Sequence, residues 1–198
     1  MDLILASTSP YRKALLERLR ISFRCLAPNI NEAALSAETP ADLARRLAHA
    51  KAAAVAERNP SALVIGSDQV AVCGDRILGK PGDTTAARQQ LQVSSGRQVR
   101  FYTSVAVLAP GQSAQAETSE TIVWFRTLTA ADIERYLQLE APWDCAGSFK
   151  AESLGITLFE RINGDDPTAL EGLPLILTAR LLRAAGLDPL KSQNINLN

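Results

Sequence analysis

The 198-residue chain is poor in the residues that most hydrolytic and metal-dependent chemistries use: one histidine, three cysteines and one methionine. It also has no excess of either charge, with 21 basic and 21 acidic residues. Each shortage removes a class of function. His49 alone cannot build a histidine-rich zinc site, and it argues against a histidine-based triad. Cys25, Cys73 and Cys145 contain no CxxC pair, and an odd, scattered count fits reduced thiols in the cytoplasm better than a disulfide framework. A net charge of zero argues against a bulk electrostatic partner such as a nucleic acid polymer or an anionic membrane. A local basic pocket for a small anion stays open. The N-terminus MDLILASTSP places Asp2 where a secretory signal carries positive charge, and no stretch approaches the ~20 apolar residues of a membrane span. Any metal would have to be held by carboxylates and water, which suit Mg2+ or Mn2+.

What is present reads as a globular α/β chain, 46% apolar and 21% charged. Leu3 to Ala6 is a short apolar run of the buried-strand type, and it enters Ser7-Thr8-Ser9-Pro10. Ser9 is a good N-cap and Pro10 a good first helical residue, so a helix is expected to about Arg20. Ile21 to Ala27 reads as a second strand. Thr39-Pro40-Ala41-Asp42 opens a helix to about Arg58. Leu63 to Ile65 reads as a strand that ends at Gly66-Ser67-Asp68-Gln69. Val70 to Cys73 and Arg76 to Leu78 then form a hairpin about Gly74-Asp75. A helix is expected from Thr85 to Val93, strands from Val99 to Leu108 and from Glu120 to Arg126, and helices from Thr129 and from Pro174. The predicted architecture is a mixed, twisted sheet flanked by helices, with two lobes around a cleft. Residues 1–190 would form one domain, and 191–198 a polar tail.

Three places invite chemistry. At Ser7 to Lys13 a strand enters a helix through small hydroxylated residues, offering backbone N–H groups to an anion. Arg12 and Lys13 in the first turn oppose the helix dipole, which suggests an anionic partner; the alternative is a capped helix with solvated cations. Asp68 falls where open α/β sheets place ligand-binding groups, and it suits a hard metal or activation of a water. Lys80, between Gly79 and Pro81, sits on a stiff loop from which a lysine reaches a phosphate as a point charge. The run Cys145 to Glu152, with Gly147 and Gly155, suggests tight backbone turns.

Together the blocks SxSxxR (Ser7 to Arg12), RLAxxKA (Arg46 to Ala52), IGSDQV (Ile65 to Val70), GKP (Gly79 to Pro81), SGRxVxFYT (Ser95 to Thr103), CAGSFKxExxGI (Cys145 to Ile156) and LFExIxGxDPxALxGLPL (Leu158 to Leu175) resemble the Maf-like nucleoside triphosphate pyrophosphatases. The resemblance runs over about residues 3 to 186. The Asp68-Gln69 pair and the CAGSFKxE block resemble the branch that acts on 7-methyl-GTP. That resemblance implies an ITPase-like fold and hydrolysis of 7-methyl-GTP to 7-methyl-GMP and diphosphate. It implies Asp68 as the proton acceptor, Ser7, Arg12, Lys51 and Lys80 as phosphate ligands, and Glu32 with Asp68 as ligands of a divalent cation. Tyr11, Gln69 and Glu152 would select the base. It leaves room for a homodimer. Two positions depart from the family pattern: Asn31 precedes Glu32 where Asp-Glu is common, and Tyr11 stands where tryptophan is frequent in the branch. The alternatives are the same chemistry on another nucleotide, or a nucleotide-binding regulator of cell division without turnover.

Overall fold

The computed structural model describes residues 2–191, so the expected tail lies outside the described residues except for Lys191. Seven strands and five α-helices follow in the order β1 (Leu3–Leu5), α1 (Pro10–Glu17), β2 (Arg24–Cys25), α2 (Pro40–Ala56), β3 (Leu63–Cys73), β4 (Arg76–Leu78), α3 (Thr84–Ser94), β5 (Gln98–Leu108), β6 (Gln115–Phe125), α4 (Ala130–Glu140), β7 (Phe159–Gly164) and α5 (Leu175–Ala184). The sheet runs β2-β1-β3-β5-β6-β7, with β4 on the side of β3. β1 pairs in parallel with β2 and β3, whereas the β3–β4 and β6–β7 pairs are antiparallel. The mixed α/β class expected from the sequence is therefore the one observed.

Several boundaries differ from expectation, each for a physical reason. α1 stops at Glu17 because the next turn tightens to i→i−3 bonds and Arg20 takes a positive φ of 54°. Only Arg24–Cys25 of the second apolar run is a strand, because β1 offers just Ile4 and Leu5 as ladder partners. β7 went unread in the sequence: its burial pattern is almost wholly exposed, so an edge strand of this kind carries no apolar alternation. Most consequential is β3, which does not end before Gly66 but continues without a break to Cys73.

The described residues divide into two compact units, those up to Asp68, Thr103–Ser119 and those from Asp166 on forming one, Gln69–Tyr102 and Glu120–Asp165 the other. In the first unit the two-residue period of the strands builds two cores. Leu3, Leu5, Leu63 and Ile65 pack with Leu15 and Leu16 of α1 and with Leu181 and Leu182 of α5. Ile4, Ala6 and Val64 pack on the other side with Ala48, Ala52 and Val55 of α2. Burial on both sides is why these strands read as continuous apolar runs. In the second unit Phe149 meets Phe101, Phe125 and Phe159 edge-to-face, at centroid distances of 5.4, 5.6 and 4.8 Å. That geometry suits aromatic quadrupoles. Among the described residues no helix is long and apolar enough to cross a membrane.

Candidate active site

The continuity of β3 decides where Asp68 points. Along a strand alternate residues share a face, so Val64, Gly66 and Asp68 all turn toward α2. Gly66 is required at the middle of that row. A Cβ there would lie 2.1 Å from the Ala48 carbonyl oxygen and 2.6 Å from the Ala52 nitrogen, so only glycine lets α2 approach this closely. The close approach brings Lys51 of α2 against Asp68. The Lys51 ammonium donates to Asp68 Oδ1 at 2.6 Å and pairs with Glu32 Oε1 at 2.9 Å. Lys51 is 5% exposed and Asp68 6% exposed, so this is a buried ion pair, while Glu32 reaches in from an exposed loop.

One further cation, Arg12, completes the electrostatics. Burial raises the Asp68 pKa, and the charges of Lys51 and Arg12 oppose that shift. Burial likewise lowers the Arg12 pKa, against the pull of Asp68 and Glu32. A guanidinium nonetheless stays protonated. A carboxylate with a raised pKa, buried among cations, is the setting in which a general base works near neutral pH. The loop that carries Glu32 is itself fixed. Arg46 donates to both oxygens of Glu38 at 2.6 and 2.9 Å and to the Ala33 carbonyl at 2.9 Å, and Leu35 N–H donates to Glu38 at 3.0 Å. These contacts hold the Glu38 carboxyl well below its usual range, at about 2.

At the β1–α1 turn, Ser9 N–H donates to the Ser7 hydroxyl at 3.1 Å, and the Ser9 hydroxyl accepts from Arg12 N–H as the expected N-cap. Ser7 is buried, Tyr11 and Arg12 are half-buried, and Lys13 lies exposed beside Glu17. Of the two cations in that first turn, only Arg12 joins the cluster. Its Nε donates to the Gly172 carbonyl at 2.9 Å. Ser67, on the opposite face of β3 from Asp68, places its hydroxyl 2.8 Å from the Ser104 carbonyl and 3.0 Å from that of Gly172. Sequence reasoning missed Ser67 and Gly172 in this role. The contact spans 160 residues, and the one trace of it in the sequence is the GLPL block.

Among the predicted site residues, the first unit thus gathers Arg12, Glu32, Lys51 and Asp68 into one charge cluster, with Ser7 in the adjoining turn. The others belong to the second unit. Gln69 is half-buried and follows Asp68 in β3, whereas Lys80 and Glu152 are exposed. The loop of Lys80 is anchored by Gln90 of α3, a residue outside every one of the sequence blocks. Its Nε2 donates to the Gly79 carbonyl at 3.0 Å while its Oε1 accepts from the Ser148 hydroxyl at 2.7 Å. Two of the sequence blocks, GKP and CAGSFK, are therefore tied through one buried amide. Lys150 N–H donates to the Tyr136 hydroxyl and its ammonium to the Glu140 carbonyl. Among the described residues the three thiols form no disulfide. Also among these residues, no three His, Cys, Asp or Glu side chains converge as a metal-binding group. Asp68 and Glu32 converge as a pair.

A model of the family described as Maf-like protein matches residues 2–185. A protein of Albidiferax ferrireducens named 7-methyl-GTP pyrophosphatase is 53% identical over 189 residues, 95% of each chain. One of the same name from Xanthomonas oryzae is 55% identical over 184 residues, covering 93% of this chain and 96% of that one. Among solved structures, the Ham1 protein of Staphylococcus aureus aligns with a TM-score of 0.53 at 11% identity, over 93% of this chain and 99% of that one. That likeness is one of fold. With seven ordered sequence blocks, a family match over nearly the whole length and relatives above half identity, the chain belongs to the Maf family.

Proposed function

We propose that the protein hydrolyses 7-methyl-GTP to 7-methyl-GMP and diphosphate, and so removes a modified nucleotide from the cytoplasmic pool. The observation that carries this reading is the identity of more than half, over nearly full length, to relatives bearing that name. The charge cluster supplies the matching chemistry. Asp68 takes a proton from a water, the water oxygen forms a bond to the α-phosphorus, and the bond from that phosphorus to the bridging oxygen breaks. Diphosphate leaves with that oxygen. Positioning and charge neutralisation dominate such a transfer, and neither histidine nor cysteine is needed. Arg12, Lys51 and Lys80, with Ser7 at the β1–α1 turn, are the phosphate ligands in this reading. Tyr11, Gln69 and Glu152 select the base.

A divalent cation fits the donor set. Glu32 and Asp68 already share one cation, the Lys51 ammonium, through hard carboxylate oxygens. Mg2+ is commonly held by one or two carboxylates with substrate phosphates completing its shell. Such an ion, Mg2+ or Mn2+, would neutralise charge on the phosphates. The partner is a small nucleotide rather than a nucleic acid polymer, and a homodimer is compatible with it.

The test is diphosphate release from 7-methyl-GTP and GTP with added Mg2+ or Mn2+. A kcat/KM clearly higher for the methylated base supports the reading, and a ratio near one would sink the base assignment. Nucleotide binding without any diphosphate release would favour the regulator instead. Methylation at N7 makes the guanine cationic, so Glu152→Gln should lower the ratio while hydrolysis persists, and Tyr11 should contribute a cation–π attraction of roughly 0.5–2 kcal/mol. An unchanged ratio removes Glu152 from specificity.

A further inference from the structure

The stretch from Asp166 to Leu175 belongs to the last of the sequence blocks that resemble the family, yet none of its residues has a place in the chemistry above. In the structure it forms a clip. Asp166 is 3% exposed, and its carboxylate accepts from Thr168 N–H at 2.9 Å, the Thr168 hydroxyl at 2.6 Å and Ile176 N–H, in the first turn of α5, at 2.7 Å. The Thr168 hydroxyl oxygen in turn accepts from Leu175 N–H at 2.8 Å. Between these ends the chain makes a 3-10 turn, Ala169–Glu171, which Thr103 braces by donating to the Ala169 carbonyl at 2.9 Å. The turn is closed by Gly172 at φ 112°, a conformation other residues adopt only with strain.

The product of this clip is the direction of one carbonyl. The Gly172 oxygen receives Arg12 Nε at 2.9 Å and lies 3.0 Å from the Ser67 hydroxyl. Arg18 on the same helix pairs with Glu171 at 2.8 Å, tying α1 to the turn a second time. Among the described residues, Nε is the guanidinium nitrogen of Arg12 with a protein hydrogen bond. A guanidinium held by Nε keeps both terminal nitrogens for an anion and has its plane set in advance, which lowers the ordering cost of a bidentate contact. A helix cap or a core contact needs no such arrangement.

We propose that Asp166, Thr168 and Ser67 are positioning residues that act through the Gly172 carbonyl to orient the Arg12 guanidinium for phosphate. The inference rests on the phosphate-binding reading of Arg12. The experiment has one arm that needs no substrate, so the two can fail separately. Thr168→Val removes the hydroxyl while keeping the shape, and Thr168→Ser restores it. In nucleotide-free protein labelled with 15N, the Arg12 Nε–H resonance, assigned by its loss in Arg12→Lys, should be sharp in the parent. It should shift or broaden in Thr168→Val and return in Thr168→Ser. With 7-methyl-GTP, Thr168→Val should lose about tenfold in kcat/KM in the parent and little in an Arg12→Ala background, since coupled residues are non-additive. An unmoved Arg12 resonance in folded Thr168→Val, or an equal loss in both backgrounds, overturns the proposal. If Thr168→Val does not fold, Ser67→Ala takes its place. It strips one donor from the Gly172 carbonyl and must displace the same resonance, or the proposal falls. A parent without turnover would defeat the pyrophosphatase reading and leave the resonance to judge the positioning.

Discussion

Two lysines that the sequence treats alike turn out to live in opposite surroundings. Lys51, in the first unit, is buried and bonded to Asp68 and Glu32. Lys80, in the second, is exposed on a loop whose anchor is the Gln90 bond to Gly79. The difference teaches that the two cations proposed as phosphate ligands would serve such a site in two ways. One is part of the fold's own electrostatics, and its removal strands a buried carboxylate. The other is a point charge on a stiff support, and its removal should disturb little besides the ligand.

The sharpest test of the first region is Asp68→Asn. It keeps the shape and removes the proposed proton acceptor, so turnover should fall by about 10²–10⁴-fold while circular dichroism is preserved. Near-parent turnover would take the chemistry away from Asp68. Next comes Lys51→Ala, which leaves Asp68 buried and unpaired. Chemical denaturation should show a loss of about 3–5 kcal/mol at neutral pH. Because burial already raises the Asp68 pKa, losing Lys51 raises it further, and the folded variant then binds a proton that the unfolded chain does not hold. The deficit should therefore shrink as pH falls toward the ordinary carboxylate range. A deficit independent of pH would mean that the ion pair is not its origin.

Lys80→Ala should cost about 1.5–3 kcal/mol in transition-state stabilisation, read as a drop in kcat/KM of at least tenfold. Its unfolding free energy should stay within about 0.5 kcal/mol of the parent, as for other exposed substitutions. Equal stability losses for Lys51→Ala and Lys80→Ala would erase the contrast between the regions. The smallest effect belongs to the half-buried pair Glu38–Arg46 of the Glu32 loop. The Glu38 pKa of about 2 lies below the ordinary 4.5, so its contribution is present above that ordinary value and is lost as pH falls through the lowered one. The stability gap between parent and Glu38→Gln should thus be small at pH 6 and vanish near pH 2.

Much of this was legible in the residues themselves. The N-caps Ser9 and Thr39 followed by proline open α1 and α2 where expected, since capping chemistry is local. Asp68 stood out because a carboxylate just after a buried strand is where open α/β sheets place ligand-binding groups. The sequence misjudged its setting, however: Gly66-Ser67-Asp68-Gln69 has the composition of a turn but continues a strand, in which three of the four residues find a distant use. Gly66 admits α2, Ser67 reaches carbonyls at 104 and 172, and Asp68 meets Lys51.

What the sequence determined by itself, then, was the α/β class, the family blocks and the list of charges available for phosphate chemistry. These are consequences of composition, local propensity and short-range order. The tertiary structure alone decided which charges meet: that Arg12 enters the cluster while Lys13 stays with Glu17, that Lys51 is buried and Lys80 is not, and that Gly172 holds Arg12. Those outcomes depend on contacts between residues up to 160 positions apart, set by strand register and by how closely two backbones approach, and no local pattern encodes them.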